Sequence, residues 1–76
     1  MNLNQLTYFC EAVRQGSVTG AAKKLYVTQP AVSGAIRELE KEFNVELIDH
    51  TRNRLVLTRE GARFFDRAEL LLRQAA

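Results

Sequence analysis

Gln29 and Ser33 stand one helical turn apart in a stretch of small, neutral or basic residues, and both carry groups suited to reading base edges. A glutamine amide pairs with adenine through two hydrogen bonds, and a serine hydroxyl donates or accepts. Pro30 and Ala31 beside them offer apolar contact to a thymine methyl. Catalytic chemistry has far less to work with. His50 is the only histidine, no cysteine or second histidine lies near it to share a metal, and no serine or cysteine falls in a recognisable nucleophile motif. No glycine-rich phosphate loop is present. The residues imply no catalytic centre, no metal and no cofactor, and they point to binding rather than turnover.

A reader of base edges must be an element that fits a groove, so the helices around Gln29 matter most. Ser17 and Thr28 are short hydroxyl residues just ahead of helical patterns, where such side chains satisfy the free amides of a new helix. Ala21, Ala22 and Leu25 form an apolar stripe on the first of these helices; Val32, Ile36, Leu39 and Phe43 form one on the second. The small pair Ala21 and Ala22 lets the two cross closely. Joined by a turn at Tyr26 and Val27, they make a helix-turn-helix, whose second helix can enter the DNA major groove. Pro30 is tolerated because first-turn amides lack intrahelical partners.

The spacing predicts a preceding helix from Leu3 to about Gln15, with Leu3, Leu6, Cys10 and Val13 inward and Phe9 and Ala12 beside them. Gly16 can take the left-handed conformation that ends it, and Asn44 does the same for the recognition helix, residues 29–43. From Val45 to Thr58 the helical pattern breaks. Leu47 and Ile48, then Leu55, Val56 and Leu57, are short β-prone runs around a polar tip from Asp49 to Arg54, which predicts a two-stranded hairpin, a wing over 47–57. Thr58 then caps a final helix from Arg59 to the C-terminus, with Glu60 well placed in its first turn. The order helix, helix, helix, hairpin, helix is that of a mainly α winged helix-turn-helix over 1–58, followed by a long linker helix over 59–76.

At ~100° per residue, Val32, Ala35, Ile36, Leu39 and Phe43 share one arc of the recognition helix, and Pro30, Ser33, Gly34, Arg37 and Lys41 share the opposite one. Ser33 and Gly34 lie mid-helix, where glycine costs about 1 kcal/mol relative to alanine. Such a small outer face permits close approach of another surface. The charge pattern agrees. The net charge of +2 in 76 residues is mild, but residues 12–37 carry Arg14, Lys23, Lys24 and Arg37 without an acid. Acids collect over 38–49, and Arg52, Arg54 and Arg59 follow. A helix N-terminus favours phosphate, and Arg52 and Arg54 at the wing tip are placed for phosphates or a narrow minor groove.

Composition bounds the rest. Apolar residues at 46% and charged residues at 26% describe one small, folded, soluble domain. A single cysteine, Cys10, excludes an internal disulfide, and its place on an apolar stripe makes it a buried thiol. No basic leader precedes an apolar run and no stretch reaches membrane-spanning length, so a cytoplasmic protein with no membrane partner is expected. Tyr26, Phe43, Phe64 and Phe65 lack the spacing of an RNA-binding strand and read as core or interface residues.

Over nearly all its length the chain resembles the N-terminal DNA-binding domain of LysR-type bacterial transcriptional regulators, through LNQLTYFCEAVRQGSVTGAAKKLYVTQPAVSGAIRELEKEFNVELI and LVLTREGARFF. GSVTGAAKKL, VTQPAVSGAIRELE and the Leu57-Thr58-Arg59-Glu60-Gly61 helix start are its most specific parts. The resemblance implies a winged helix-turn-helix that binds double-stranded DNA sequence-specifically, as a dimer, on an interrupted palindrome. It also implies a small-molecule effector held by a C-terminal domain absent from this chain. It assigns Gln29, Pro30 and Ser33 to bases, Thr28 and Arg37 to phosphate, and the wing to the flanking backbone or minor groove. Gly34 departs from the long polar or basic side chain of many members, Ile48 from a common phenylalanine, and His50 from the usual wing arginine. Arg52 and Arg54 are then left to supply the wing contact beside His50.

Dimerisation falls to the last helix. Phe64, Phe65, Ala68, Leu71, Leu72 and Ala75 share an arc of roughly 120°, and Leu70 lies outside it among Arg63 and Arg67. A helix over 59–76 is about 27 Å long, more than so small a domain covers, so its last turns want a partner. Phe65, Ala68, Leu70, Leu71 and Leu72 are expected at a homodimer interface whose two-fold symmetry would match a palindrome. The competing reading is a helical protein–protein adaptor, which would lack the salt dependence of phosphate binding, a log–log slope of roughly −0.9 per phosphate.

Overall fold

Local signals set each helix boundary. In the computed structural model, which describes residues 1–75, α1 spans Leu3–Gln15, α2 Val18–Leu25, α3 Gln29–Phe43 and α4 Arg59–Ala75. Ser17 Oγ accepts from Gly20 N–H at 2.8 Å, Thr28 Oγ1 from Ala31 N–H at 3.2 Å and Thr58 Oγ1 from Gly61 N–H at 2.9 Å, so all three hydroxyls cap as expected. Asn2 adds a cap that the sequence reading missed. Its side chain accepts from Gln5 N–H at 2.8 Å while Gln5 Oε1 accepts from Asn2 N–H at 3.1 Å, a reciprocal capping box. Gly16 and Asn44 end α1 and α3 in the left-handed region, with φ 72° and 54°.

The helices gather around Phe9, which is fully buried among Leu6, Ala12, Ala21, Val32, Leu39 and Leu47. Phe64 and Phe65 of α4 meet its ring edge-on, at centroid distances of 5.5 and 6.4 Å. Arg14 on α1 adds a charged clasp, its Nη2 2.6 Å from a carboxylate oxygen of Glu69 on α4. The N-terminus of α4 is held by close backbone approach: a Cβ on Gly61 would lie 1.9 Å from the Leu47 carbonyl oxygen.

Several burial expectations change. Leu3 is 54% exposed rather than inward. The buried arc of α1 runs through Leu6, Phe9, Cys10 and Ala12, and at ~100° per residue Leu3 falls on its margin. Tyr26, expected in a core or interface, is 96% exposed. Phe43 at the end of α3 is also exposed, although its ring lies 5.4 Å from that of Phe64. Leu71 and Ala75 of the expected α4 stripe are exposed, because α1 covers only the arc through Phe64, Phe65, Ala68 and Leu72.

The segment over 47–57 turns back on itself but does not form a two-stranded ladder. Among the described residues its pairing is one isolated antiparallel bridge, Ile48 with Leu57, supported by Asp49 N–H to the Val56 carbonyl at 2.7 Å and Thr58 N–H to the Leu47 carbonyl at 3.0 Å. The reason lies in the donors. Leu47 N–H, which would otherwise face Thr58, goes to the Glu40 carboxylate, as does the outward-pointing Ile48 N–H, and Arg52 N–H takes the Asp49 carbonyl at 3.3 Å.

Candidate nucleic-acid interface

The first turn of α3 presents Gln29, Pro30 and Ala31 to solvent, with Thr28 exposed just before them and Arg37 exposed two turns on. Ser33 is half-buried. The opposite face, Val32, Ala35, Ile36 and Leu39, is sealed in the core, so α3 cannot roll to bury its polar side.

Beside this face runs an open cleft of about 490 Å³ between α3, the start of α2 and the 48–55 segment. It brings Gln29, Ser33 and Arg37 together with His50, Arg52 and Arg54, although these two groups are far apart in sequence. Thr28, Pro30 and Ala31 lie outside the cleft lining, on the exposed helix start. Ser17, Val18 and Thr19 complete one wall, a contribution the sequence reading did not assign. Its one acid is Asp49, whose side chain accepts from Thr51 N–H at 3.1 Å and from Thr51 Oγ1 at 2.6 Å. Those bonds, with Arg52 Nε 3.5 Å away, hold the Asp49 carboxyl below its ordinary range. Three arginines against one aspartate leave the cleft net basic.

Glu40 is the positioning residue that the sequence hid inside an acidic run. Its Oε2 accepts from Leu47 N–H at 2.7 Å and from Ile48 N–H at 3.2 Å, and His50 Nε2 lies 3.1 Å from both carboxylate oxygens. One α3 side chain thus ties down the root of the 47–57 segment and places His50 at the cleft. The available signal was its position on the flank of α3, one turn beyond Ile36 and next to Leu39.

The expected dimer residues divide. Ala68 is 1% exposed and Phe65 is half-buried against Phe9, so both are occupied within their own chain. Leu72 is half-buried, whereas Leu70 at 49% and Leu71 at 43% are open to solvent. Cys10 is fully buried, and loss of solvation pushes its thiol up to about 11. Among the described residues no group of three histidine, cysteine, aspartate or glutamate side chains is placed to hold a metal, and no helix is long and apolar enough to cross a membrane.

A capped helix pair with an exposed, acid-poor start to its second helix, flanked by a basic returning loop, is the architecture of a DNA-binding helix-turn-helix. Residues 3–62 match the family described as bacterial regulatory helix-turn-helix proteins of the lysR family, and the chain belongs to that family. It is 39% identical to the HTH-type transcriptional regulator CrgA of Neisseria meningitidis over 99% of this chain and 25% of CrgA. The chain therefore spans about a quarter of the length of such relatives and corresponds to their N-terminal DNA-binding domain. Among solved structures, a putative LysR family regulator from Pseudomonas aeruginosa superposes with a TM-score of 0.86 at 44% identity, over 97% of this chain and 24% of that one. The BenM DNA-binding domain in complex with catB site 1 DNA superposes at 0.93 with 36% identity, over 99% of this chain and 83% of that one.

Proposed function

We propose that this chain is the sequence-specific double-stranded DNA-binding domain of a LysR-type transcriptional regulator, not an enzyme. The observation that carries the reading is the basic cleft that sets Gln29 and Ser33 of α3 beside Arg52 and Arg54 of the 48–55 segment. The DNA complex of the BenM domain supports it. In this reading α3 lies in the major groove, with Gln29, Pro30, Ala31 and Ser33 at base edges and Thr28 and Arg37 at phosphates. The 47–57 segment acts as the wing, with His50, Arg52 and Arg54 on the flanking backbone or minor groove. Residues 1–58 form the DNA-reading unit and Arg59–Ala75 a linker helix, the last residue of the expected 59–76 span, Ala76, lying outside the described residues. That helix pairs two copies through Leu70, Leu71 and Leu72 on an interrupted palindrome in the cytoplasm, and the rest of the protein supplies the effector-binding domain.

Selection of bound sequences from a random duplex library by this chain would supply an operator. On that operator, Gln29→Ala should weaken binding by ~1–3 kcal/mol while leaving affinity for random duplex nearly intact. Equal loss on both would remove Gln29 from base reading, and binding indifferent to salt would overturn DNA as the partner.

A further inference from the structure

Three helices end in a left-handed residue, and two of them use the residue types that favour it, Gly16 and Asn44. The third, at the end of α2, is Tyr26 at φ 58°. A bulky side chain in that region strains the backbone, and the strain persists only where something over-determines it. The turn is well held: Tyr26 N–H reaches the Lys23 carbonyl at 3.4 Å and Val27 N–H the Ala22 carbonyl at 3.0 Å. Yet the ring gains nothing in return inside the fold, being 96% exposed. Glycine or asparagine would close the same turn without strain, and the exposed ring is left free for a contact outside the monomer.

Its surroundings say what. Lys23 and Lys24, both exposed, precede it, and Thr28, two residues on, caps the helix that presents Gln29 and Ser33. Two residues of chain span at most about 7 Å, so Tyr26 starts within that distance of the α3 cap. A helix seated in a major groove about 12 Å wide has phosphate-lined walls about 6 Å to either side of the groove midline. A phenol starting this close to the α3 cap is within reach of a groove wall once α3 is seated, and tyrosine is among the donors that contact DNA phosphates.

We propose that Tyr26 is a further DNA-binding residue, whose hydroxyl donates to a backbone phosphate on the groove wall beside the bases that Gln29 and Ser33 face. The proposal rests on the DNA-binding reading above. Because a phosphate contact is blind to sequence, the test uses this chain and a short random-sequence duplex at low salt. Tyr26→Phe and Tyr26→Gly should each weaken binding roughly tenfold, the worth of one hydrogen bond to a charged acceptor. Both should leave the log–log salt slope unchanged, since a phenol is neutral. Tyr26→Gly should unfold no earlier than the parent, because glycine relieves the left-handed turn. If the parent binds and Tyr26→Phe binds equally well, the phosphate contact is overturned while the DNA-binding reading stands. If the parent shows no salt-sensitive binding, the reading itself falls and Tyr26 with it.

Discussion

Glu40 and His50 face each other across the root of the 47–57 segment, with Nε2 of the imidazole 3.1 Å from each carboxylate oxygen. The same carboxylate holds the amides of Leu47 and Ile48. Glu40→Ala leaves those two part-buried donors without an acceptor and should destabilise the domain by about 1–3 kcal/mol. Glu40→Gln keeps one oxygen for the amides and should lose less, and His50→Ala, which removes only a half-exposed partner, should lose least. Denaturant unfolding at constant m measures the differences, and hydrogen exchange of the Leu47 and Ile48 amides locates them. Parent-like protection of those amides in Glu40→Ala would show that the carboxylate does not hold the segment.

Gly61 and Gly34 should respond oppositely to the same substitution. A Cβ at Gly61 would lie 1.9 Å from the Leu47 carbonyl oxygen, and that carbonyl is fixed by Thr58 N–H at 3.0 Å. Gly61→Ala should therefore cost about 3 kcal/mol or more by overpacking. At Gly34 a Cβ meets nothing within 4 Å, so Gly34→Ala should stabilise α3 by up to about 1 kcal/mol. Thermal unfolding of the two variants side by side decides it, and a stabilised Gly61→Ala would contradict the packing described.

What could be read in the sequence was what the chain encodes locally. Ser17, Thr28 and Thr58 act on amides three residues away, and Gly16 and Asn44 act on their own backbone, so helix ends were visible without the fold. Glu40 acts seven to ten residues ahead, across a turn whose path only the tertiary structure defines, and nothing in an acidic run separates it from Glu38 or Glu42. The expected ladder over 47–57 failed for a related reason, since β-prone residues do not reveal that a helix side chain takes the Leu47 amide or that the turn at Arg52 takes the Asp49 carbonyl. In the cleft, Gln29, Ser33 and Arg37 were legible from one helix face, whereas the Ser17–Thr19 wall needed the crossing of α2 over α3.

Arg52 and Arg54 line the cleft together, but they are not equivalent. Arg52 Nε lies 3.5 Å from Asp49, and that ion pair must rearrange or share its guanidinium for Arg52 to reach a phosphate. Arg54→Ala should accordingly weaken binding to every duplex more than Arg52→Ala does. The double variant should flatten the log–log salt slope by up to about 1.8, near 0.9 for each phosphate lost. Titrations of random duplex over a range of salt measure this, and an unchanged slope would place both arginines off the DNA.

Cys10 makes stability fall at high pH. Burial raises its folded-state pKa to about 11 from an ordinary 9.0, so folding favours the neutral thiol. A raised value contributes stability that is fully present below the unfolded pKa and is lost as pH climbs through the folded one. The window is therefore pH 9 to about 11. The chain should lose unfolding free energy across it more steeply than Cys10→Ala, which has no thiol to ionise. Thiol reagents should modify Cys10 only at the rate at which the domain opens; fast labelling of the native chain would mean that the thiol is not enclosed.

The proposed pairing of two copies through α4 now has a narrower test surface. Leu72 packs partly against the core and Ala68 is enclosed there, so charging either would unfold the monomer and confuse the outcome. Leu70 and Leu71 are exposed neighbours near the end of the helix, where a partner could cover both without disturbing Phe9, Phe64 or Phe65. Leu70→Asp with Leu71→Asp should leave the unfolding midpoint measured on monomer near the parent's, since both side chains are about half exposed in the isolated fold. The double variant should sediment as a monomer at concentrations where the parent dimerises. It should also lose much of its affinity for a two-half-site operator while binding a single half-site like the parent, because only the dimer gains from engaging both halves. A parent chain that stays monomeric at millimolar concentration would show that α4 alone does not suffice, leaving the rest of the protein to hold the two copies together.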